Sequence, residues 1–212
     1  MSQHIVIAVV TLYADEHFAV AKRPGGLLGS IAGPMDRRIH NILIDRDQIA
    51  ERVEQLAEAI MRDVAADAEQ GRLVVVPVMT GSLLFVADLV RQLPVPFPIR
   101  PVGVSAYPGA TTTSTGATLL GSLPEGIKDV TVLLVDDILD SGRTLDLLQR
   151  ELLAAGAGSV RTCVLLRKEV ERSANPSCEY IGFDVPDLFV VGYGLDYDGL
   201  FRNLPDIAVL EA

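Results

Sequence analysis

Val132-Leu133-Leu134-Val135-Asp136-Asp137-Ile138-Leu139-Asp140-Ser141-Gly142-Arg143-Thr144 is the stretch on which the reading of this chain turns. It opens as an aliphatic run of strand type and switches abruptly to two aspartates. Two more aliphatics, a third aspartate and a small polar turn follow. The next residues place Leu145, Leu148 and Leu152 at helical spacing, with Gly156 as a C-terminal stop. A buried strand, an acidic tip, a small-residue turn and a helix make a ligand site at the carboxyl end of a strand in an open α/β sheet. Ser141, Gly142 and Thr144 offer hydroxyls and backbone N–H groups at a helix start, where unpaired amides and the helix dipole favour a phosphate. Asp136 and Asp137 cannot both enter an apolar core. They suit the hydroxyls of a sugar, a hydrated metal ion, or both. Asp140 is placed to reach a proton on a reacting group. The pattern points to a phosphorylated sugar whose ring hydroxyls meet carboxylates.

The same stretch resembles the phosphoribosyl-pyrophosphate motif of type I phosphoribosyltransferases: a hydrophobic strand, two acids, two aliphatics, then D-[ST]-G-x-T. Every position is filled. The bland reading is an ordinary βα loop with solvated charges, and the whole strand–motif–helix context weighs against it.

Composition sets outer bounds. The chain has 212 residues, 49% of them hydrophobic, which fits one domain with a small appendage and a sizeable core. A net charge of −10 argues against a nonspecific nucleic-acid binder and against an anionic membrane surface. It leaves an anionic small substrate open. Cys163 and Cys178 have no metal spacing, and Cys163 lies in an apolar run. Two lone cysteines without a signal peptide fit a cytoplasmic protein. Ile5 to Val10 is too short an apolar run to span a membrane.

Residues 1–40 contain two Gly-rich patches and a strand-like IVIAVVTLY, and they read as an N-terminal extension to a domain over 41–212. The first clear element is a helix capped by Asp45, with Gln48 as capping-box partner. Ile49, Val53, Leu56, Ile60 and Val64 form its apolar stripe, and Gly71 ends it. Leu73 to Val78 then reads as a buried strand, Met79-Thr80-Gly81-Ser82 as a tight turn, and Leu83 to Leu93 as an apolar helix. The Thr80-Gly81 turn can offer amides to an anion, and equally can be a plain βα loop. In 6-oxopurine phosphoribosyltransferases this turn binds pyrophosphate and usually reads Leu-Lys-Gly. Met79-Thr80-Gly81 lacks the lysine, so a positive charge is missing there or comes from elsewhere. Val102 to Tyr107 reads as a strand. Pro108 to Gly116 reads as a surface loop, matching the family's mobile loop; the family's Ser-Tyr pair is Ala106-Tyr107 here.

The last third extends the resemblance. Val160 to Leu166 reads as a buried strand ending in Arg167-Lys168-Glu169. Taken alone, Lys168 and Arg172 are surface charges. The segment YIGFDVPDLFVVGYGLDYDGLFRNLPDIAVL resembles the C-terminal part of hypoxanthine-guanine phosphoribosyltransferases almost residue for residue. The resemblance covers roughly Ile42 to Leu210. It implies that Lys168 meets the 6-oxo group of a purine, that Phe189 and Val190 cover and backbone-bond the base, and that Arg172 lies near pyrophosphate. It implies Asp196 beside a metal and the base's exocyclic position, and Thr80, Gly81 and Arg202 at pyrophosphate. From its sequence neighbours alone, Phe189 is either a core aromatic or a stacking ring.

The resulting expectation is an α/β fold with a mostly parallel central sheet, flanking helices and a small hood from the chain ends. The resemblance implies a purine-salvage reaction. A 6-oxopurine (hypoxanthine, guanine or both) and phosphoribosyl pyrophosphate give IMP or GMP and pyrophosphate, with Mg2+. In it, Ser141, Gly142, Arg143 and Thr144 hold the 5′-phosphate, and Asp136 and Asp137 the ribose hydroxyls, directly or through the metal. Asp140 moves the proton at purine nitrogen 7. Asp136, Asp137 and Asp196 are the candidate metal residues. Partners are small molecules, with no nucleic acid and no membrane, in a homodimer or homotetramer by analogy. A xanthine-preferring enzyme, a sugar-phosphate-binding regulatory module without turnover, and an inert α/β domain are the alternatives.

Overall fold

The computed structural model describes residues 39–105 and 117–211. The N-terminal extension up to residue 38, the Ala106-Tyr107 pair and the loop to Gly116 lie outside them.

The first strand is β1 (Ile39–Ile44), followed by helix α1 (Arg46–Glu69). The cap forms as the spacing predicts. The Asp45 carboxylate accepts from the N–H of Asp47 and of Gln48, and the Gln48 side chain accepts from the Asp45 N–H at 3.0 Å. Such a cap is worth about 1 kcal/mol. All five residues of the predicted stripe are buried. Next come β2 (Leu73–Met79), α2 (Leu83–Arg91), β3 (Val102–Ser105) and the short β4 (Thr118–Leu120). β5 (Thr131–Leu139) and α3 (Arg143–Ala154) carry the acidic motif. β6 (Ser159–Lys168), β7 (Tyr180–Val185), β8 (Val190–Val191) and β9 (Ile207–Leu210) complete the order.

Six strands form the central sheet in the order β4-β3-β2-β5-β6-β7. All neighbours are parallel except β4, which runs antiparallel along β3. Its two faces are read directly from the alternation along β2 and β5. Leu73, Val75, Leu133 and Val135 pack on one side with Ile49, Ile60, Phe85 and Leu89 from α1 and α2. Val74, Val76, Val132 and Leu134 pack on the other with Leu145, Leu148 and Leu152 from α3. Burial on both faces is why these strands are continuous aliphatic runs rather than alternating ones.

A separate three-stranded antiparallel sheet, β1-β9-β8, is the hood. It joins the start of the described chain to its end. Asp206 secures it to α1, accepting from the Arg46 backbone N–H at 2.9 Å and from its guanidinium at 3.0 and 2.9 Å. These bonds hold the Asp206 carboxyl below its usual range.

Candidate active site

The carboxyl ends of the parallel strands enclose a cleft of about 300 Å³. Asp136, Asp137, Asp140, Ser141, Gly142 and Thr144 all line it, joined by Gly81 from the end of β2. The strand order explains the meeting: β2 and β5 are hydrogen-bonded neighbours, so both of their following turns open on the same edge.

The acidic pair lies within the last four residues of β5. Asp136 is 6% exposed and accepts from the Asp137 N–H at 3.0 Å. Asp137 accepts from the Ile138 N–H at 2.9 Å. Burial, and then repulsion from Asp137, push the Asp136 carboxyl well above the ordinary carboxylate range. Burial raises Asp137 too, against the opposing pull of backbone N–H bonds and the Arg202 charge. Two desolvated carboxylates side by side are short of positive charge, and oxygen donors of this kind fit a hard divalent cation. Among the described residues no group of three or more His, Cys, Asp or Glu side chains is arranged to hold a metal. An ion here would therefore draw its remaining ligands from substrate oxygens and water, as such ions commonly do at phosphate sites.

The turn that follows has the chemistry to receive an anion. Gly142 is the N-cap of α3 and has φ +79°. A left-handed conformation favours glycine. Having no side chain, Gly142 leaves the first amides of the helix to a ligand or to water. The Arg143 Nε does not extend into the cleft; it donates to the Ser173 hydroxyl at 2.9 Å.

Gly81 makes the second close approach. A Cβ at this position would run into the Asp137 carboxylate. The Gly81 carbonyl is in turn covered by Gly194, where a Cβ would collide with it. The hood segment thus sits directly on the Met79–Ser82 turn. The Met79–Thr80 peptide bond is cis. Thr80 is exposed, and Ser82 is buried with its hydroxyl donating to the Val78 carbonyl at 2.7 Å.

Lys168, at the end of β6, lies 3.5 Å from the Asp140 carboxylate and 3.2 Å from that of Asp187. Its side chain is 13% exposed. An ammonium is thereby held beside the outermost carboxylate of the motif. Phe189 is 49% exposed and meets Tyr197 edge to face, with ring centroids 5.6 Å apart. It is no core aromatic: it precedes β8 and leaves a ring face open, while Val190 is buried in the strand itself. Asp196 pairs with Arg202 at 2.7 Å and accepts from the Gly199 N–H at 2.7 Å. Arg202 also donates to the Gly194 carbonyl at 2.5 Å. Arg172 donates to the Lys168 carbonyl.

Two residues of this arrangement have no motif to announce them. Asp187 lies two residues past Val185, the β7 partner of Lys168, so cross-strand register was the available signal. Ser173 bonds both the Ser141 carbonyl and Arg143, and nothing in its own neighbourhood of sequence marks it.

Comparisons with known proteins give the family. Residues 44–198 match the family model described as phosphoribosyl transferase domain. The hypoxanthine-guanine phosphoribosyltransferase of Mycobacterium bovis is 40% identical over 176 residues, covering 82% of this chain and 87% of that one. The protein of the same name from Staphylococcus epidermidis is 34% identical over 178 residues, 84% of this chain and 97% of that one. Among solved structures, a hypoxanthine-guanine phosphoribosyltransferase from Bacillus anthracis superposes with a TM-score of 0.73 at 35% identity. It covers 82% of this chain and 99% of its own. A hypoxanthine phosphoribosyltransferase from Staphylococcus aureus gives 0.76 at 31%, covering 85% and 96%. The fold with its mostly parallel sheet is thus shared with these proteins, and the chain belongs to the phosphoribosyl transferase family, on its hypoxanthine-guanine branch.

Proposed function

We propose that this protein is a purine-salvage enzyme that joins a 6-oxopurine, hypoxanthine or guanine, to the phosphoribosyl group of phosphoribosyl pyrophosphate. The observation that carries the reading is the Lys168–Asp140 pair, 3.5 Å apart. O6 and N7 are neighbouring positions on one edge of such a base. An ammonium that donates to O6, beside a carboxylate that takes a proton at N7, matches that edge. A base with a 6-amino group would set its donors against the ammonium.

The remaining residues supply positioning and charge. Gly142 and Thr144 amides and the Ser141 and Thr144 hydroxyls hold the 5′-phosphate, with Arg143 alongside. Asp136 and Asp137 take the ribose hydroxyls. Gly81 and Arg202, with the Thr80 turn, receive pyrophosphate. Phe189 stacks on the base, Val190 bonds it through the backbone, and Asp196 lies toward its exocyclic position. In the reaction the bond from C1′ to the pyrophosphate oxygen breaks and a bond from C1′ to N9 forms. The proton shed from N7 passes to Asp140. Oxocarbenium character at C1′ makes aligned reactants and a neutralised leaving group the main contributions. Mg2+, held at Asp136 and Asp137, would neutralise charge on the pyrophosphate and ribose oxygens when bound, while Asp196 is engaged with Arg202.

We further assign residues 41–212 to the catalytic domain and 1–40 to an extension, supported by a family match that begins at residue 44. A cytoplasmic location is supported by two free cysteines, Cys163 and Cys178. No described helix is long and apolar enough to cross a membrane. A homodimer or homotetramer is supported by exposed Leu83 and Leu84 on the first turn of α2.

The test is a spectrophotometric assay with phosphoribosyl pyrophosphate, Mg2+ and one base at a time. Turnover is expected with hypoxanthine or guanine and not with adenine or uracil. Silence with every 6-oxopurine, while phosphoribosyl pyrophosphate still binds, would transfer the site to a regulatory module.

A further inference from the structure

The loop between β6 and β7 passes behind the turn that follows β5. Three hydrogen bonds and two close approaches tie the two together. The Ser173 hydroxyl donates to the Ser141 carbonyl at 3.1 Å and accepts from the Arg143 Nε at 2.9 Å. The Ala174 N–H donates to the same Ser141 carbonyl at 3.2 Å. The Ala174 carbonyl and the Pro176 ring lie so close to Gly142 that any side chain there would collide with them. One residue earlier, Arg172 donates to the Lys168 carbonyl, so the same loop reaches the end of β6.

The consequence follows from the peptide plane. In a trans peptide the carbonyl oxygen of one residue and the N–H of the next point in opposite directions. Two donors on the loop side hold the Ser141 carbonyl away from the cleft. The Gly142 N–H is therefore turned toward it, on the side where the turn lines the cleft. A single hydroxyl hydrogen suffices for Ser173, because its second bond is received from Arg143 rather than given.

We propose that Ser173 is a positioning residue for the 5′-phosphate: it fixes the Ser141 carbonyl outward and thereby aims the Gly142 N–H at the phosphate. Through Arg143 it also holds the guanidinium at the rim of the turn instead of across it. This rests on the reading of the turn as the phosphate cradle. Ser173 touches neither base nor phosphate, and its effect falls on one substrate.

The experiment uses the full chain with Ser173→Ala and Ser173→Thr. It reads ribose 5-phosphate affinity by calorimetry, KM for phosphoribosyl pyrophosphate and for the base, and Tm. Ser173→Ala is expected to weaken ribose 5-phosphate and raise KM for phosphoribosyl pyrophosphate about five- to tenfold, the scale of one lost hydrogen bond. KM for the base and Tm should stay within about twofold and about 2 °C of the parent, because the Ala174 N–H bond remains. Ser173→Thr, which keeps the hydroxyl, should restore both affinities. Unchanged ribose 5-phosphate affinity in Ser173→Ala would overturn the proposal. So would a joint rise of both KM values with a falling Tm, or a threonine as defective as the alanine. An absence of turnover in the parent would count against the enzyme reading, whereas the ribose 5-phosphate arm still decides the role of Ser173.

Discussion

Two turns face each other across the cleft, one after β5 and one after β2, and they are built on different logic. Both are small-residue links between a buried strand and a helix. The Ser141–Thr144 turn stands on its own dihedral demand, a left-handed Gly142, and is backed from outside by the Ser173–Ala174 loop. The Met79–Ser82 turn has no left-handed residue. It is held from the inside, by Asp137 against Gly81, and from above by Gly194. The first turn is thus braced independently of the hood, and the second is shaped by the hood and by an acidic residue. A ligand on the first meets a rigid cradle. One on the second meets a surface that the acidic pair and the hood both set.

The comparison can be broken in order of expected effect. Asp140→Asn keeps the shape of the first region and removes its proton acceptor. It should lower kcat by about 10²- to 10⁴-fold, with phosphoribosyl pyrophosphate affinity within a few-fold. Equal loss of kcat and affinity would assign Asp140 to binding. Gly142→Ala attacks the brace itself. Strain at φ +79° and the collision with Ala174 should lower Tm by about 5–10 °C. The same substitution at Gly81 meets a carboxylate that can rotate, so it should cost less Tm and more activity. A larger Tm loss at Gly81 than at Gly142 would reverse the assignment of the two turns.

The acidic pair gives a smaller and opposite effect. A carboxyl whose folded-state pKa lies above the unfolded value of about 3.9 opposes folding once the pH rises past it. Below that value both states are protonated and the penalty vanishes. Asp136 is raised by burial and by Asp137. Asp136→Asn should therefore raise the Tm of the ligand-free protein by about 2–6 °C at pH 7.5, with the gain shrinking toward pH 4. Activity should be lost in the same variant. A Tm that falls at both pH values would mean that the carboxylate is already compensated in the free protein. The smallest effect is expected at the exposed Thr80: Thr80→Lys should tighten pyrophosphate about three- to tenfold at low salt, and less at high salt. No change would mean that Arg202 already serves the second turn alone.

What sequence alone conveyed follows from distance along the chain. The strand–acid–turn–helix unit and the Asp45–Gln48 capping box are local, each made by residues within a few positions, and both appear where the spacing places them. The residues that complete the site are remote. Ser173 meets Ser141 from another loop, and Asp187 meets Lys168 only because β6 and β7 are in register. Their types, serine and aspartate in polar loops, carry no pattern. Phe189 was ambiguous because its sequence neighbours are those of a buried strand, while its ring is half exposed in the hood. The antiparallel β4 spans three residues, too few for any alternation to register. Thr80 stood out as a departure, yet the elements that surround it, Gly81 on Asp137 and Gly194 on Gly81, come from three separate parts of the chain.

The hood carries a consequence for the order in which the molecule assembles. β1 opens the described chain, and its partner β9 closes it. Pairings between such distant segments form late, because the loop entropy must be met before the contact rewards it. On a growing chain the central sheet and the Ser141–Thr144 turn have all their strands once β7 has emerged, whereas β1 must wait for β9. The Ser141–Thr144 turn is then built first and the hood last. A chain interrupted after β7 would already carry the Ser141–Thr144 turn and the Lys168–Asp140 pair, and would lack the hood that closes beside Phe189.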